Sequence, residues 1–129
     1  TKKQTLDITQ DEQPLRARIE KIPTLRPAFK ADGTTTAANS SSISDGASAL
    51  VLSSRTDGAT PLARIAGHHT HSQHPSEFTT APVGAISGLL SKLGWTVADV
   101  DLFEINEAFA MVTMLAISEL ELPAERVNI

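Results

Sequence analysis

VDLFEINEAFAMVTMLAISEL, residues 100–120, joins two patterns that predict different secondary structures. Residues 100–105 are typical of a strand, and residues 107–120 predict a helix that stops before Pro123. Asn106 lies where the strand becomes the helix, with Glu104 and Glu107 close on either side. An apolar run therefore carries polar groups at its strand–helix junction, and these need an explanation.

Asn106 has two interpretations. Asparagine is among the best helix N-caps, and the first turn of a helix has amides that need partners. The carboxyl end of a strand in an open α/β sheet is also where ligands bind, and a carboxamide there can donate to a water or an oxyanion beside the helix N-terminus. The spacing alone leaves both interpretations open.

The next helix predicted upstream is PVGAISGLLSKLG, residues 82–94. Pro82 suits the first helical position, and Gly94 suits the end of the helix. One apolar face is formed by Val83, Ile86, Leu89, Leu90 and Leu93.

Short strands are predicted at residues 49–53 and 62–67, separated by a turn at Asp57–Gly58, and VNI at 127–129 resembles the start of another strand. Ser42 or Ser44 can cap a short helix just before the first of these strands. The alternation predicts an α/β protein with a mixed sheet and helices packed on it. Residues 1–48, rich in Thr, Ser, Pro and charge, predict an extended loop region preceding that layer, and the chain is expected to be a piece of a longer protein.

Composition excludes several kinds of function. The 129 residues carry a net charge of −4, and residues 1–30 are basic whereas the remainder is acidic. No apolar run is long enough for a membrane span, and the basic arm has one aromatic residue and no pattern of aromatic residues that would stack on nucleic acid. Without cysteine the chain has no disulfide, no thiolate metal site and no cysteine nucleophile, which favours a cytoplasmic setting.

Two further motifs are candidate sites. GHHTHSQH contains His68, His69, His71 and His74, but it follows a strand, so neighbouring rings point to opposite faces, and no metal-binding pattern is present. Exposed loop histidines, with no metal, are the expectation. NSSSISDGA, residues 39–47, could be a phosphate-binding turn or a simple capped turn, and it lacks the lysine of a P-loop.

Taken together, the motifs resemble the thiolase family, whose members make or cleave 3-oxoacyl-coenzyme A. EINEAFA at 104–110 resembles the family's Asn-Glu-Ala-Phe signature. LRPAFKADGTTTAANSSSISDGASALVL, residues 25–52, resembles the lead into its coenzyme A pocket. TTAPVGA at 79–85 and the Gly94–Trp95 helix end follow in the same order, and the resemblance extends from about Asp11 onward.

The resemblance implies roles for individual residues. Asn106 matches the asparagine that holds a water, which stabilises the enolate oxygen of the thioester together with a histidine from a later motif. Ser41 matches the serine that hydrogen-bonds the pantetheine arm, Leu25 is expected near adenine, and Phe78 is expected at the acyl end. The pantetheine tunnel is expected to be lined by Phe29, Ala37, Ile43, Ala108 and Phe109.

The chain departs from the family pattern because the nucleophilic cysteine, the Gly-His-Pro histidine and the second cysteine are absent. It is therefore interpreted as an internal segment of an acyl-CoA:acetyl-CoA C-acyltransferase. Residues 1–54 would end the N-terminal, coenzyme A-binding loop region, and residues 55–129 would begin the C-terminal α/β domain. The alternative is a non-catalytic acyl-CoA-binding or assembly module. Coenzyme A is expected as a substrate with no further cofactor, and a homo-oligomer is expected for the complete enzyme.

Overall fold

Three α-helices form the main regular structure of the computed structural model, which describes residues 7–54, 58 and 60–129. They are α1 (Glu12–Arg16), α2 (Ala81–Leu93) and α3 (Ala110–Leu120). The chain divides into two units, one ending at Ala38 and the other running from Asn39 to Ile129. Short 3-10 helices span Ile19–Thr24, Ala37–Asn39, Pro75–Thr80, Val97–Asp99 and Ala124–Arg126.

The first unit has no buried residue among the described positions 7–38. Asp11 caps α1 by accepting a hydrogen bond from the Gln13 amide at 2.9 Å. Further along, a loop is closed by the Ala28 amide, which donates to the Thr35 carbonyl oxygen at 2.8 Å. This segment contains short helices as well as extended chain, and it contributes no core of its own.

Helix α2 confirms the predicted helix and its two boundary signals. Pro82 lies in its first turn, and Gly94 ends it with φ of +68°, a left-handed conformation that glycine adopts at little cost. The Trp95 amide reaches back to the Leu90 carbonyl oxygen at 2.9 Å, which satisfies a carbonyl at the helix end. Of the predicted apolar face, Val83 and Ile86 pack against the core.

Helix α3 begins at Ala110, three residues later than predicted. Phe109 is the N-cap residue, with extended backbone (φ −138°, ψ 148°) and no side-chain cap. An antiparallel bridge between Phe109 and Ser40 holds this part of the chain extended, and the helix can begin only after it. Asn106 therefore does not cap α3, and the first of its two interpretations is wrong.

The predicted mixed sheet is reduced in the described residues to two isolated bridges. One joins Ser40 to Phe109 antiparallel, and the other joins Phe103 to Val127 in parallel. Residues 49–53 and 62–67 show no ladder in this part of the chain, because a strand forms only where a neighbouring strand supplies its hydrogen-bond partners.

The short helix and the turn predicted in this region have different outcomes. The short helix expected after Ser42 or Ser44 is absent from the described residues 41–54, where those two hydroxyls instead lie 3.0 Å apart. Just before this segment, Ser40 is bridged to Phe109, and the Ser41 amide donates to the Ala108 carbonyl oxygen. Asp57 lies outside the described residues, and Gly58 has the positive φ of +78° that a turn glycine adopts.

The core lies where α2 and α3 meet the segments around Phe103 and Val127. Thr96 and Asp99 form a reciprocal capping box before the first of these segments, and their hydrogen bonds hold the pKa of Asp99 below its ordinary value. In the described chain no helix is both long and apolar enough to cross a membrane. The buried apolar residues are Phe103, Ile105, Val112, Ala116, Leu122 and Val127.

Candidate functional site

Asn106 presents its carboxamide on the exposed side of an extended segment. Phe103 and Ile105 are buried at 7% and 8% exposure, and the alternation of an extended chain turns Glu104 and Asn106 outward. The Asn106 side chain makes no hydrogen bond to any other described residue. Its two amide protons and its carbonyl oxygen are therefore available to a ligand or a water.

The residues on either side of Asn106 are held by Asn128. The Asn128 side chain accepts from the Ile105 amide at 2.7 Å and donates to the Ile105 carbonyl oxygen at 2.9 Å. The same Nδ2 donates to Oε1 of Glu107 at 2.7 Å, a hydrogen bond to an ionisable carboxyl. Sequence reasoning treated Asn128 only as part of a beginning strand and missed this contact.

Ser41 holds the same junction from another side. Its hydroxyl donates to the Glu107 carbonyl oxygen at 2.6 Å, and its backbone amide donates to the Ala108 carbonyl oxygen at 3.0 Å. Glu107 is thus fixed through its carbonyl by Ser41 and through its carboxylate by Asn128. The predicted site residues Ser41, Asn106 and Ala108 are brought together by this arrangement.

Two shallow, open depressions meet at Asn106. The first has a volume of about 550 Å³ and a mixed polar and apolar lining, and the second, of about 430 Å³, is mainly apolar. Glu104, Ile105 and Asn106 line both. The first depression is completed by Glu107, Asn128 and Ile129, and the second by His71, Phe78, Ala81, Pro82, Ala85, Ile86, Ala108 and Val112.

Aromatic rings and a side-chain network border the second depression. The rings of Phe78 and Phe109 lie 5.9 Å apart between centroids, with their planes tilted by 58°. His71 Nε2 lies 3.1 Å from Gln73 Oε1, and Gln73 in turn donates to the Thr80 hydroxyl at 2.6 Å and to the Glu77 carbonyl oxygen. Because an amide oxygen only accepts, this arrangement makes His71 Nε2 the donor. The network ties His71 to the Pro75–Thr80 turn that carries Phe78.

The histidine cluster packs along α2 and gathers no metal-ligand set. Within the described chain no three His, Cys, Asp or Glu side chains are placed to hold a metal ion. A Cβ added at Gly84 would lie 2.5 Å from the His71 ring, and one at Gly88 would overlap the His69 ring. The two glycines, one helical turn apart, therefore form a groove on α2 that takes alternate residues of an extended segment. The spacing of these two glycines is the feature of the sequence that could have indicated the groove.

The remaining predicted site residues are exposed. Ile43, in the second unit, is fully exposed and touches neither depression. In the first unit, Phe29 is 75% exposed and Leu25 is 37% exposed. Ala37 begins the 3-10 helix Ala37–Asn39 and is also exposed. The depressions thus bring together Phe78, Asn106 and Ala108, with Ser41 and Phe109 directly beside them.

Comparisons with known proteins agree with the sequence resemblance. Residues 1–56 match the family model for the thiolase N-terminal domain, and residues 59–129 match that for the thiolase C-terminal domain. A probable acetyl-CoA acetyltransferase of Dictyostelium discoideum is 43% identical over 126 residues, which cover 95% of this chain and 30% of that protein.

Solved structures give the same result. The Acat5 thiolase of Ascaris suum in complex with coenzyme A has a TM-score of 0.83 at 40% identity, covering 94% of this chain and 33% of that one. The dimeric peroxisomal thiolase of Saccharomyces cerevisiae has a TM-score of 0.81 at 36% identity, covering 87% of this chain and 30% of that one. This chain spans about a third of the length of these proteins. At these identities and TM-scores, and with both domain models matched, the chain belongs to the thiolase family.

Proposed function

We propose that this chain supplies part of the coenzyme A surface and one oxyanion-stabilising group of an acyl-CoA:acetyl-CoA C-acyltransferase. The observation that carries the proposal is the state of Asn106. Its carboxamide is exposed and makes no hydrogen bond to the described residues, whereas Ile105 and Glu107 on either side are fixed by Asn128. A donor held in this way, before any charge develops, suits the stabilisation of a transition state.

In this proposal Asn106 holds a water that donates to the enolate oxygen of a thioester. The charge on that oxygen appears only during reaction, so the interaction is stronger in the transition state than with the bound substrate. The position of Asn106 between a depression with a mixed lining and a mainly apolar one supports this role, because an acyl thioester also has a polar carbonyl beside an apolar chain.

Coenzyme A recognition is proposed along the surface beside Asn106. The Ser41 hydroxyl donates its proton to Glu107, so towards the pantetheine arm it would accept a hydrogen bond from an amide N–H. The paired rings of Phe78 and Phe109, together with Ala108, offer the apolar contact that a thin pantetheine chain requires. For Leu25, Phe29, Ala37 and Ile43, contact with coenzyme A is proposed on the family resemblance alone.

The wider context of the enzyme is also a proposal. The Ascaris suum thiolase was solved with coenzyme A, which supports coenzyme A as substrate, and the dimeric Saccharomyces cerevisiae thiolase supports a homo-oligomer. Acyl transfer through an enzyme thioester needs a thiolate, which would come from sequence beyond these 129 residues. The absence of cysteine supports a cytoplasmic location, although the yeast thiolase is peroxisomal.

The absence of cysteine also favours a second candidate, a non-catalytic acyl-CoA-binding or assembly module. Sequencing the gene on both sides of this segment separates the two. In-frame sequence with a cysteine upstream and Gly-His-Pro downstream supports the enzyme, whereas a start and a stop codon at the two ends support the module.

Replacing Asn106 tests the proposed chemistry. In the complete thiolase that contains this segment, Asn106→Ala is expected to lower kcat about a hundredfold, since one lost oxyanion-stabilising donor costs roughly 3 kcal/mol of the barrier. The measurement is thiolysis of acetoacetyl-CoA, followed as loss of its absorbance on addition of coenzyme A.

The matched control is Gln10→Ala, which removes an exposed carboxamide from the first unit and should leave turnover unchanged. A melting temperature measured for both variants separates a chemical from a structural effect. Unchanged turnover in Asn106→Ala would remove the basis of the proposed role.

A further inference from the structure

The Asn128 carboxamide takes the place of a neighbouring strand. Phe103 pairs with backbone, since its amide donates to the Arg126 carbonyl oxygen at 2.8 Å and its carbonyl oxygen accepts from the Asn128 amide at 2.9 Å. Two residues further on, Ile105 makes the equivalent pair of hydrogen bonds to the Asn128 side chain. The amide and the carbonyl oxygen of Ile105 are thus both hydrogen-bonded, although their partner is the Asn128 side chain and not a strand backbone.

The backbone at Asn128 restricts which residue can do this. Its φ of +52° lies in the left-handed region, which glycine, asparagine and aspartate tolerate best. Glycine has no side chain to pair with Ile105. Aspartate can accept from the Ile105 amide but, when ionised, has no proton for the Ile105 carbonyl or for Glu107. Of these three residues, only asparagine meets both the conformational and the hydrogen-bonding requirement.

The contacts of Asn128 surround Asn106 without touching its side chain. They fix the residue before it through two backbone hydrogen bonds and the residue after it through the Glu107 carboxylate. The direction of the Asn106 side chain depends on the backbone between these two points. A change at Asn128 would therefore reach the proposed water site through Asn106.

We infer that Asn128 is a positioning residue, which sets the orientation of the Asn106 carboxamide at the site where the two depressions meet. The inference rests on the proposed function, because it assigns Asn128 a part in the same chemistry. It adds a residue outside the Asn-Glu-Ala-Phe stretch and 22 positions along the chain from Asn106.

The test uses two substitutions in the complete thiolase. Asn128→Gly keeps the left-handed backbone and removes the carboxamide, and Asn128→Asp keeps the size but loses the donor and faces Glu107 with like charge. Each is expected to lower kcat about tenfold, the effect of one lost or misdirected hydrogen bond, with less than a twofold change in the KM for coenzyme A. Glu121→Gly is the matched control, because Glu121 has the same φ of +52° at the far end of α3. It should leave kcat unchanged.

A double substitution distinguishes positioning from structural support. If Asn128 acts through Asn106, adding Asn128→Gly to Asn106→Ala should lower kcat no further, since the group to be positioned is already gone. Independent, multiplicative losses would overturn the inference. So would normal turnover in both Asn128 variants while Asn106→Ala is impaired, a result that leaves the proposed function standing.

Two further measurements complete the comparison. Circular dichroism and melting temperature, measured for every variant, show whether reduced turnover reflects unfolding. If only Asn128→Gly melts early, the kcat of the folded Asn128→Asp enzyme decides the question. Full activity of Asn106→Ala would overturn the proposed function and this inference together.

Discussion

At the scale of single residues, Ser41 and Asn106 have opposite hydrogen-bonding states. The Ser41 hydroxyl is already committed to the Glu107 carbonyl, so only its acceptor capacity remains for a ligand. Asn106 keeps both donors and its acceptor, since no described residue pairs with its side chain. The proposed roles follow this difference, with Ser41 accepting from pantetheine and Asn106 donating to a water.

Replacing Ser41 should therefore affect binding more than turnover. In the complete enzyme, Ser41→Ala should weaken coenzyme A about fivefold, the effect of roughly 1 kcal/mol for one hydrogen bond. The backbone pairing of Ser41 with Ala108 does not need the hydroxyl and should persist. Calorimetric titration with coenzyme A measures the change.

Ser44→Ala is the control, because within the described chain the Ser44 hydroxyl hydrogen-bonds only to the neighbouring Ser42 hydroxyl. Its coenzyme A affinity should equal that of the unaltered enzyme. Equal affinity in Ser41→Ala would mean that Ser41 has only the structural contact with Glu107.

At the scale of elements, α2 serves two purposes at once. Its apolar face packs on the core, and its Gly84–Gly88 groove receives the rings of His71 and His69. In the interior of a helix, alanine is normally more favourable than glycine by about 1 kcal/mol. Glycines retained one turn apart in the middle of a helix indicate that close approach of another segment matters more here than helix propensity.

The Gly84 position provides a test of this packing. In the complete enzyme, Gly84→Ala should lower the free energy of unfolding by about 1–3 kcal/mol. The added methyl group would overlap the His71 ring, which Gln73 holds in place. Urea denaturation measures the change. Gly46→Ala, where an added Cβ meets nothing within 4 Å, should be close to neutral.

A second substitution identifies the cause. Combining Gly84→Ala with His71→Ala removes the overlapping ring, so the helix-propensity gain of alanine should then reappear. A Gly84→Ala protein that is already more stable than the parent would show that the ring does not occupy this groove.

At the scale of the whole molecule, little of the apolar surface is buried. Six apolar residues form the buried core in the described chain, whereas eighteen large apolar side chains there are exposed, including Leu50, Val51 and Leu62. Exposed apolar surface of this extent is typical of a protein that packs against further chain or another subunit.

The 129-residue chain by itself should therefore associate and show no catalysis. Without a thiol it cannot form an acyl-enzyme thioester, so thiolysis of acetoacetyl-CoA should not exceed the buffer rate. Light scattering should detect association that increases with protein concentration. Reproducible activity that Asn106→Ala abolishes would show that the family is right and the proposed chemistry wrong.

The sequence by itself determined those features that depend on a few adjacent residues. Helix α2 is confirmed at both ends because Pro82 and Gly94 fix the backbone locally, through a preset φ and a left-handed turn. The Asn-Glu-Ala-Phe stretch with the serine-rich segment likewise identified the thiolase family, which the family models confirm. The individual site roles taken from that resemblance stay predictions.

Tertiary structure alone decided the features that depend on distant pairing. The start of α3 was misplaced because Ser40, far away in the sequence, holds Phe109 extended. Asn128 was missed because its hydrogen bonds to Ile105 and Glu107 exist only once the two segments meet. The helical preference of a segment is weak beside the hydrogen bonds and burial that a distant partner supplies, so the positions of these residues emerge only in the folded chain.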